Sequence, residues 1–133
     1  MYEVTVEDVF SSAHRLRNYR GKCERMHGHN WKVNVTVGGD TIDENGLLID
    51  FHIMKKELRK VLDVLDHNDL NRIPSFHRIN PTSENICFYV YRKMRSALRK
   101  YPVKVRKVVV WENDRQSASY QEGKEEGGGK SDQ

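Results

Sequence analysis

From Gly28 to Val37 the chain alternates: Trp31, Val33, Val35 and Val37 are apolar, while Lys32, Asn34 and Thr36 are polar. A period of two means a strand with one apolar face and one wet face. His27 and His29 share the parity of the apolar face. Extended backbone therefore sets both imidazoles side by side at one end of that face. Gly28 lies between them and lets another group approach the backbone closely. Two imidazoles on one strand face make half of a metal site. A third ligand must come from elsewhere, and Cys23 lies one loop away.

The rest of the chain supplies partners for this strand. Residues 2–10 alternate Tyr2, Val4, Val6 against Glu3, Thr5, Glu7 and predict a first strand, which Ser11 to His14 either continues or bulges from. Residues 15–26 are polar and basic with little periodicity, as a functional loop is. The second strand spans about residues 28–38. Asp50 is a candidate N-cap. Phe51, Met54, Leu58, Val61, Leu62 and Leu65 then recur at helical spacing, and that helix is expected to end near Asp66-His67. Pro81-Thr82-Ser83-Glu84-Asn85 has the hydroxyl cap and first-turn acid of a second helix start. Its apolar stripe is Ile86, Val90, Met94, Ala97 and Leu98, and Pro102 closes it. Residues 103–112 predict a third strand. Asn113-Asp114 signals a hairpin, and Gln116 to Gln121 would be the short return strand. The expected order is ββααββ, an α+β domain. Residues 122–133, with Gly127-Gly128-Gly129 and no apolar anchor, are expected to be disordered.

At 133 residues there is room for one core. No apolar run approaches the roughly 20 residues of a membrane span. The N-terminus shows no secretory signal, so the expected setting is cytoplasmic. There a disulfide between Cys23 and Cys87 is the poorer expectation. The last twelve residues hold four acids and two bases, so the chain's net +4 rests on a body of +6. A basic body suits a phosphorylated ligand or nucleic acid without choosing between them.

His14, His27 and His29 fall at strand ends beside the polar loop. Zn²⁺ accepts imidazole nitrogens tetrahedrally, and three histidines leave a fourth position open, as in catalytic sites. Cys23 could close that position and make the site structural. It could instead serve as a thiolate base or nucleophile, helped by Lys22 and Arg25. Cys87, between Ile86 and Phe88, reads as an inert buried thiol. A carboxylate beside a histidine, as in Asp66-His67, can set the histidine's tautomer. Neighbours in sequence need not face each other, however, and helix capping explains the pair as well. His52 and His77 have no companions and receive no role. Glu112 shares the face of Val108 and Val110. There it is either paired or binds something, such as the planar N–H/N–H edge of guanine or a pterin, unless it is a solvated strand-end acid. A non-catalytic zinc module that binds nucleic acid through its basic loop is a different class. Such modules show closed ligand sets at finger spacing. His14 lies thirteen residues before His27, and Asp66, Glu84 and Glu112 would repel a phosphate backbone.

The set Phe10-Ser11-Ser12-Ala13-His14, Cys-x₃-His-Gly-His-Asn, Leu65-Asp66-His67-x₂-Leu70-Asn71, Pro81-Thr82-Ser83-Glu84-Asn85 and Trp111-Glu112 resembles the 6-pyruvoyl-tetrahydropterin synthase / 6-carboxy-tetrahydropterin synthase family over residues 2–121. The resemblance implies a single T-fold (tunnelling fold) domain over residues 1–121, an antiparallel four-stranded sheet with two helices on one face. It further implies trimers that close a β-barrel and stack as a homohexamer, with sites built across subunit boundaries. It makes His14, His27 and His29 zinc ligands, Cys23 the catalytic base, and Asp66 and His67 its proton relay. Glu112 becomes the pterin anchor, with Thr82 and Ser83 in the same pocket. The implied activity is a zinc-dependent lyase acting on 7,8-dihydroneopterin triphosphate, with no nucleic-acid or membrane partner. Arg15, Arg17 and Lys22 are candidates to draw off the triphosphate.

Three product branches are implied. The pyruvoyl branch, of biopterin synthesis, has a longer insertion between the cysteine and His-Gly-His. The short spacing here is that of the 6-carboxy branch, which feeds 7-deazaguanine and queuosine synthesis. A third branch uses the glutamate of Glu-x₂-His-Gly-His to form 6-hydroxymethyl-dihydropterin for folate. This chain carries both Cys23 and Glu24, as a dual-function subgroup does.

Overall fold

The computed structural model describes residues 1–123. Strand β1 (Tyr2–His14) and strand β2 (His27–Gly39) form a long antiparallel pair whose register runs unbroken from Tyr2↔Gly39 to His14↔His27. Ser11 to His14 thus continue the first strand without a bulge. Helix α1 (Phe51–Leu65) follows, then a two-residue strand β3 (Asn68–Asp69), helix α2 (Ser83–Ala97), strand β4 (Lys104–Asn113) and strand β5 (Gln116–Gln121). The sheet order is β3-β1-β2-β4-β5.

The expected four-stranded antiparallel sheet is therefore a five-stranded one. The added strand, β3, lies parallel to β1 through Ser12↔Asn68 and Ala13↔Asp69. Two polar residues offer no period to read, and their pairing depends on how the chain leaves α1.

Both helices start where the capping chemistry directs. The Asp50 side chain accepts the His52 N–H at 2.8 Å, and Thr82 Oγ1 accepts the Asn85 N–H at 3.1 Å. They cover one face of the sheet. Trp31, Val33, Val35, Val37, Val108 and Val110 pack there against Met54, Leu58 and Leu62 of α1 and Ile86, Val90 and Met94 of α2. The register between β2 and β4 shifts between Thr36 and Val37. Val105 and Val108, three apart, can therefore both face the core, and the even parity of Val108 and Val110 carries on to Glu112. The other sheet face has no covering layer among the described residues. Val9 is exposed there, and Thr5 and Thr36 share a hydrogen bond of 2.7 Å.

Cys23 and Cys87 are free. Glu122, placed by sequence in a disordered tail, still pairs with β4: its N–H donates to the Arg106 carbonyl at 3.1 Å. Residues 124–133 of that tail lie outside the described residues.

Candidate metal centre and its surroundings

The helices stop covering the inner sheet face at one end, and four ligand-type side chains converge there. His14 ends β1, His27 and His29 open β2, and Glu112 lies near the end of β4. One ligand atom from each lies within 4.8 Å of the others. The register explains the histidines: His14 is paired with His27, and Ser12 with His29, so all three rings share the inner face. Ring centroids are 4.7 to 5.2 Å apart. Trp31 forms the floor. Its ring packs edge-on to His14 and His29, and its Nε1–H donates to the Ser12 carbonyl at 3.2 Å.

Two tautomers are set by the backbone. His14 Nδ1 donates to the Pro81 carbonyl at 2.8 Å and His27 Nδ1 to the Arg25 carbonyl at 2.9 Å. A carbonyl only accepts, so Nδ1 carries the proton and Nε2 keeps its lone pair. Backbone carbonyls commonly orient metal-bound histidines in this way. Nε2 of His14 and of His29 is buried without a hydrogen-bond partner among the described residues. Glu112 Oε2 stands 3.4 and 3.2 Å from these two atoms, at ion-pair distance but outside hydrogen-bond geometry. Burial lowers the His29 pKa below its usual value. Glu112 opposes that shift, and His14 and His27 reinforce it. A neutral His29 keeps a lone pair for a metal. Four convergent N/O donors, two of them buried and unpaired, fit Zn²⁺.

Sequence parity places Glu112 on the inner face and leaves open whether it is paired or is a solvated strand-end acid. In the fold its side chain is only 21% exposed. Its Oε1 accepts from Gln116 Nε2 at 2.7 Å. Sequence reasoning missed that this carboxylate stands among the ring nitrogens. The hairpin that returns Gln116 beside Glu112 was the available signal.

A cavity of about 340 Å³ opens from the cluster, walled by His14, His27, Glu24, Thr82, Ser83 and Glu112, among others. Thr82 and Ser83 are there because Pro81, whose carbonyl holds His14, immediately precedes Thr82, the N-cap of α2. Glu24 belongs to this wall, and its Oε1 accepts the Leu16 N–H at 3.0 Å. Cys23, its neighbour, is exposed and lines neither this cavity nor the next.

Asp66 and His67 do face each other: His67 Nδ1 is 3.1 Å from Asp66 Oδ1. Asp66 also ends α1, its N–H donating to Leu62 O, so the capping and pairing accounts hold together. His67 sits at φ +53°, a left-handed conformation uncommon for a residue with a side chain. Its N–H donates to Ser11 O at 2.6 Å. The Ser11 N–H in turn donates to Asp66 at 2.8 Å, and this bond is the main cause that holds the Asp66 carboxyl below its ordinary pKa. The His67 side chain is 82% exposed. It lines a second, open cleft of about 720 Å³ with Gly28, Asn30 and Arg72, and His29 belongs to that wall too. A Cβ at Gly28 would meet nothing nearer than Ser12 O at 3.8 Å, so among the described residues no group approaches that backbone closely.

Of the three candidate phosphate cations, Arg15 and Lys22 are exposed. Arg17 is committed elsewhere, its guanidinium donating to the carbonyls of Phe76 and Ile79. Burial pushes the Cys87 thiol up to about 12, in keeping with an inert role.

The family described as 6-pyruvoyl tetrahydropterin synthase matches residues 3–123, nearly the whole described chain. The chain belongs to the 6-pyruvoyl tetrahydropterin synthase family. Members with two different names are similar to it. The 6-carboxy-5,6,7,8-tetrahydropterin synthase of Synechocystis is 34% identical over 102 residues, 73% of this chain and 78% of that protein. The 6-pyruvoyl tetrahydrobiopterin synthase of Dictyostelium discoideum is 31% identical over 123 residues, 84% of this chain and 90% of that protein. The structure of 6-pyruvoyl tetrahydropterin synthase from Caenorhabditis elegans superposes with a TM-score of 0.79 at 32% identity, covering 92% of this chain and 98% of that one. The fold is thus the T-fold of these pterin synthases, and the histidine cluster lies in a chain of their family.

Proposed function

We propose that this chain is a zinc-dependent lyase acting on 7,8-dihydroneopterin triphosphate, with 6-carboxy-5,6,7,8-tetrahydropterin as product and a place in 7-deazaguanine and queuosine synthesis in the cytoplasm. The observation that carries the reading is the pair of buried, unpartnered Nε2 atoms of His14 and His29, aimed at one point beside His27 and Glu112. His14, His27 and His29 would hold the zinc. When bound, it supplies Lewis acidity toward the substrate's side-chain hydroxyls. Glu112 offers two acceptor oxygens to the N–H/N–H edge of the pterin, with Thr82 and Ser83 in the same wall. Thr82 Oγ1 already accepts from Asn85, so it has its proton left to give. Cys23 is the general base that takes a proton from the side chain of the substrate. Asp66 fixes His67, which passes protons on. Triphosphate departs toward Arg15 and Lys22, water is taken up, and the two side-chain carbons that the 6-carboxy product lacks leave as acetaldehyde.

Among the described residues the outer sheet face is uncovered and the outer edges of β3 and β5 are unpaired, which supports assembly as a homohexamer, because exposed edges need partners. Light scattering that finds a monomer at micromolar concentration would contradict that assembly.

One observation favours a second reading. Glu24, not Cys23, stands in the cavity wall with His14, His27 and Glu112. A carboxylate there suits the 6-hydroxymethyl-dihydropterin branch or a dual-function enzyme. Mass spectrometry of products from 7,8-dihydroneopterin triphosphate tests both. Cys23→Ala is expected to abolish the 6-carboxy product and leave some 6-hydroxymethyl product, and Glu24→Ala to do the reverse. If both products vanish in Cys23→Ala and both survive in Glu24→Ala, Glu24 is a bystander. If the wild type forms neither product, the substrate reading fails.

A further inference from the structure

The loop that carries Cys23 and Glu24 leaves β1 through Arg15, Leu16 and Arg17, and among the described residues no strand pairs with these three. Their backbone is nonetheless fully paired, largely by side chains. Asn71 Oδ1 accepts the Arg15 N–H at 2.9 Å, and Asn71 Nδ2 donates to the Arg15 carbonyl at 3.0 Å. Asn80 repeats the pattern two residues on: Oδ1 accepts the Arg17 N–H at 2.8 Å, and Nδ2 donates to the Arg17 carbonyl at 3.2 Å. Leu16, between them, is paired with Glu24. Its N–H donates to Glu24 Oε1 at 3.0 Å, and its carbonyl accepts the Glu24 N–H at 2.9 Å. A primary amide carries an acceptor oxygen and an NH2 donor side by side, so it can pair with the N–H and C=O of one residue as the facing residue of an antiparallel strand does. Each asparagine therefore stands in for a neighbouring strand.

The two anchors come from different parts of the site. Asn71 sits in the 3₁₀ turn Leu70–Arg72, a few residues after Asp66 and His67. Asn80 precedes Pro81, whose carbonyl orients His14, and the Asn80 carbonyl accepts from Thr82 N–H and Asn85 Nδ2, both at 2.8 Å. Farther along, the same loop closes as a tight hairpin through Tyr19 and Lys22. The position of Glu24 is set through Leu16, and Leu16 is set by its clamped neighbours.

We propose that Asn71 and Asn80 are positioning residues: as paired amide clamps on Arg15 and Arg17, they hold the Cys23–Glu24 loop in register with the histidine cluster, the Asp66–His67 turn and the start of α2. The clamp is a statement about this fold. Its effect on turnover rests on the pterin synthase reading given above.

Asn71→Asp and Asn80→Asp keep the shape and the acceptor but put a carboxylate oxygen against a carbonyl oxygen. Each is tested in the zinc-loaded full chain by three measurements. Hydrogen exchange by mass spectrometry over residues 15–24 should speed up about fivefold for each bond lost, the effect of roughly one hydrogen bond on a local opening. The kcat should fall about tenfold or more with KM within about twofold, because small misplacements of reacting groups cost rate rather than binding. Zinc content should not change. Asn71→Gln and Asn80→Gln keep both amide functions and should recover part of the rate.

Unchanged exchange over residues 15–24 overturns the clamp, whatever the activity. Faster exchange with wild-type kcat overturns the positioning role. A fall in kcat that only tracks loss of zinc overturns it as well. If the wild type does not turn over the pterin substrate, the exchange measurement still decides the clamp.

Discussion

Glu112→Gln separates two tasks that one carboxylate could perform. Glu112 Oε2 lies 3.4 Å from His14 Nε2 and 3.2 Å from His29 Nε2, so position alone allows a fourth metal ligand. Its place in the cavity wall with Thr82 and Ser83 suits a reader of the pterin edge. The amide keeps the shape and an oxygen, but loses the charge and replaces one acceptor with a donor. A hydrogen bond to a charged group contributes about 1.5–3 kcal/mol, which is roughly 10- to 150-fold in affinity. The dissociation constant of a non-reacting pterin, read by fluorescence titration, should rise by that factor. Zinc content by atomic absorption should match wild type, with His29→Ala as the reference that loses both zinc and activity. In the zinc-free protein the variant also lacks the Glu112 charge that raises the His29 pKa, so His29 should titrate at still lower pH. If Glu112→Gln loses zinc as His29→Ala does, Glu112 is a ligand and the anchor assignment is refuted. Unchanged pterin affinity would refute it equally.

The two thiols should differ sharply. Iodoacetamide is expected to label exposed Cys23 in the native protein and to spare Cys87, whose pKa burial pushes up to about 12; zinc lost on labelling would make Cys23 a ligand and the centre a closed one. Asp66 supports the fold through an ionised carboxyl held below its ordinary value. That stabilisation is complete above the ordinary carboxylate pKa of roughly 4 and is lost as pH falls through the lower folded value. Asp66→Asn should therefore flatten the acid side of a plot of melting temperature against pH, and an identical slope in the variant would dismiss the contribution.

Strand parity makes most of the site legible in the sequence alone. His27, His29 and Trp31 share a face because a strand alternates, and Glu112 shares it because Val108 and Val110 do. His14 could be added because it ends the first strand near the loop that leads to His27. The hairpin register then brings the three rings together. What parity could not carry was pairing that depends on side chains or on very short elements. Strand β3 is two residues of polar sequence. The Asn71 and Asn80 contacts cross more than fifty residues of chain and leave no periodic trace. Arg17, a reasonable phosphate cation by composition, is committed to the carbonyls of Phe76 and Ile79 because its own backbone is held beside them by Asn80.

The adjacency of Cys23 and Glu24 has a consequence for where the chemistry is completed. Neighbouring side chains on extended backbone point apart. Here Glu24 turns into the inner cavity, held by the Leu16 N–H, while Cys23 turns outward. His67 also faces outward, into the open cleft on the other side of His29. The groups suited to hold a substrate, Glu112, Thr82 and Ser83, are gathered inside, and two of the groups assigned to move protons are not. In a single chain Glu112, Thr82 and Ser83 thus line the inner cavity, while Cys23 and His67 face solvent. Closing the cleft over His67 and bringing a thiol to the cavity mouth needs a second surface, and the proposed hexamer, with subunits packed through the uncovered sheet face and edges, would supply one.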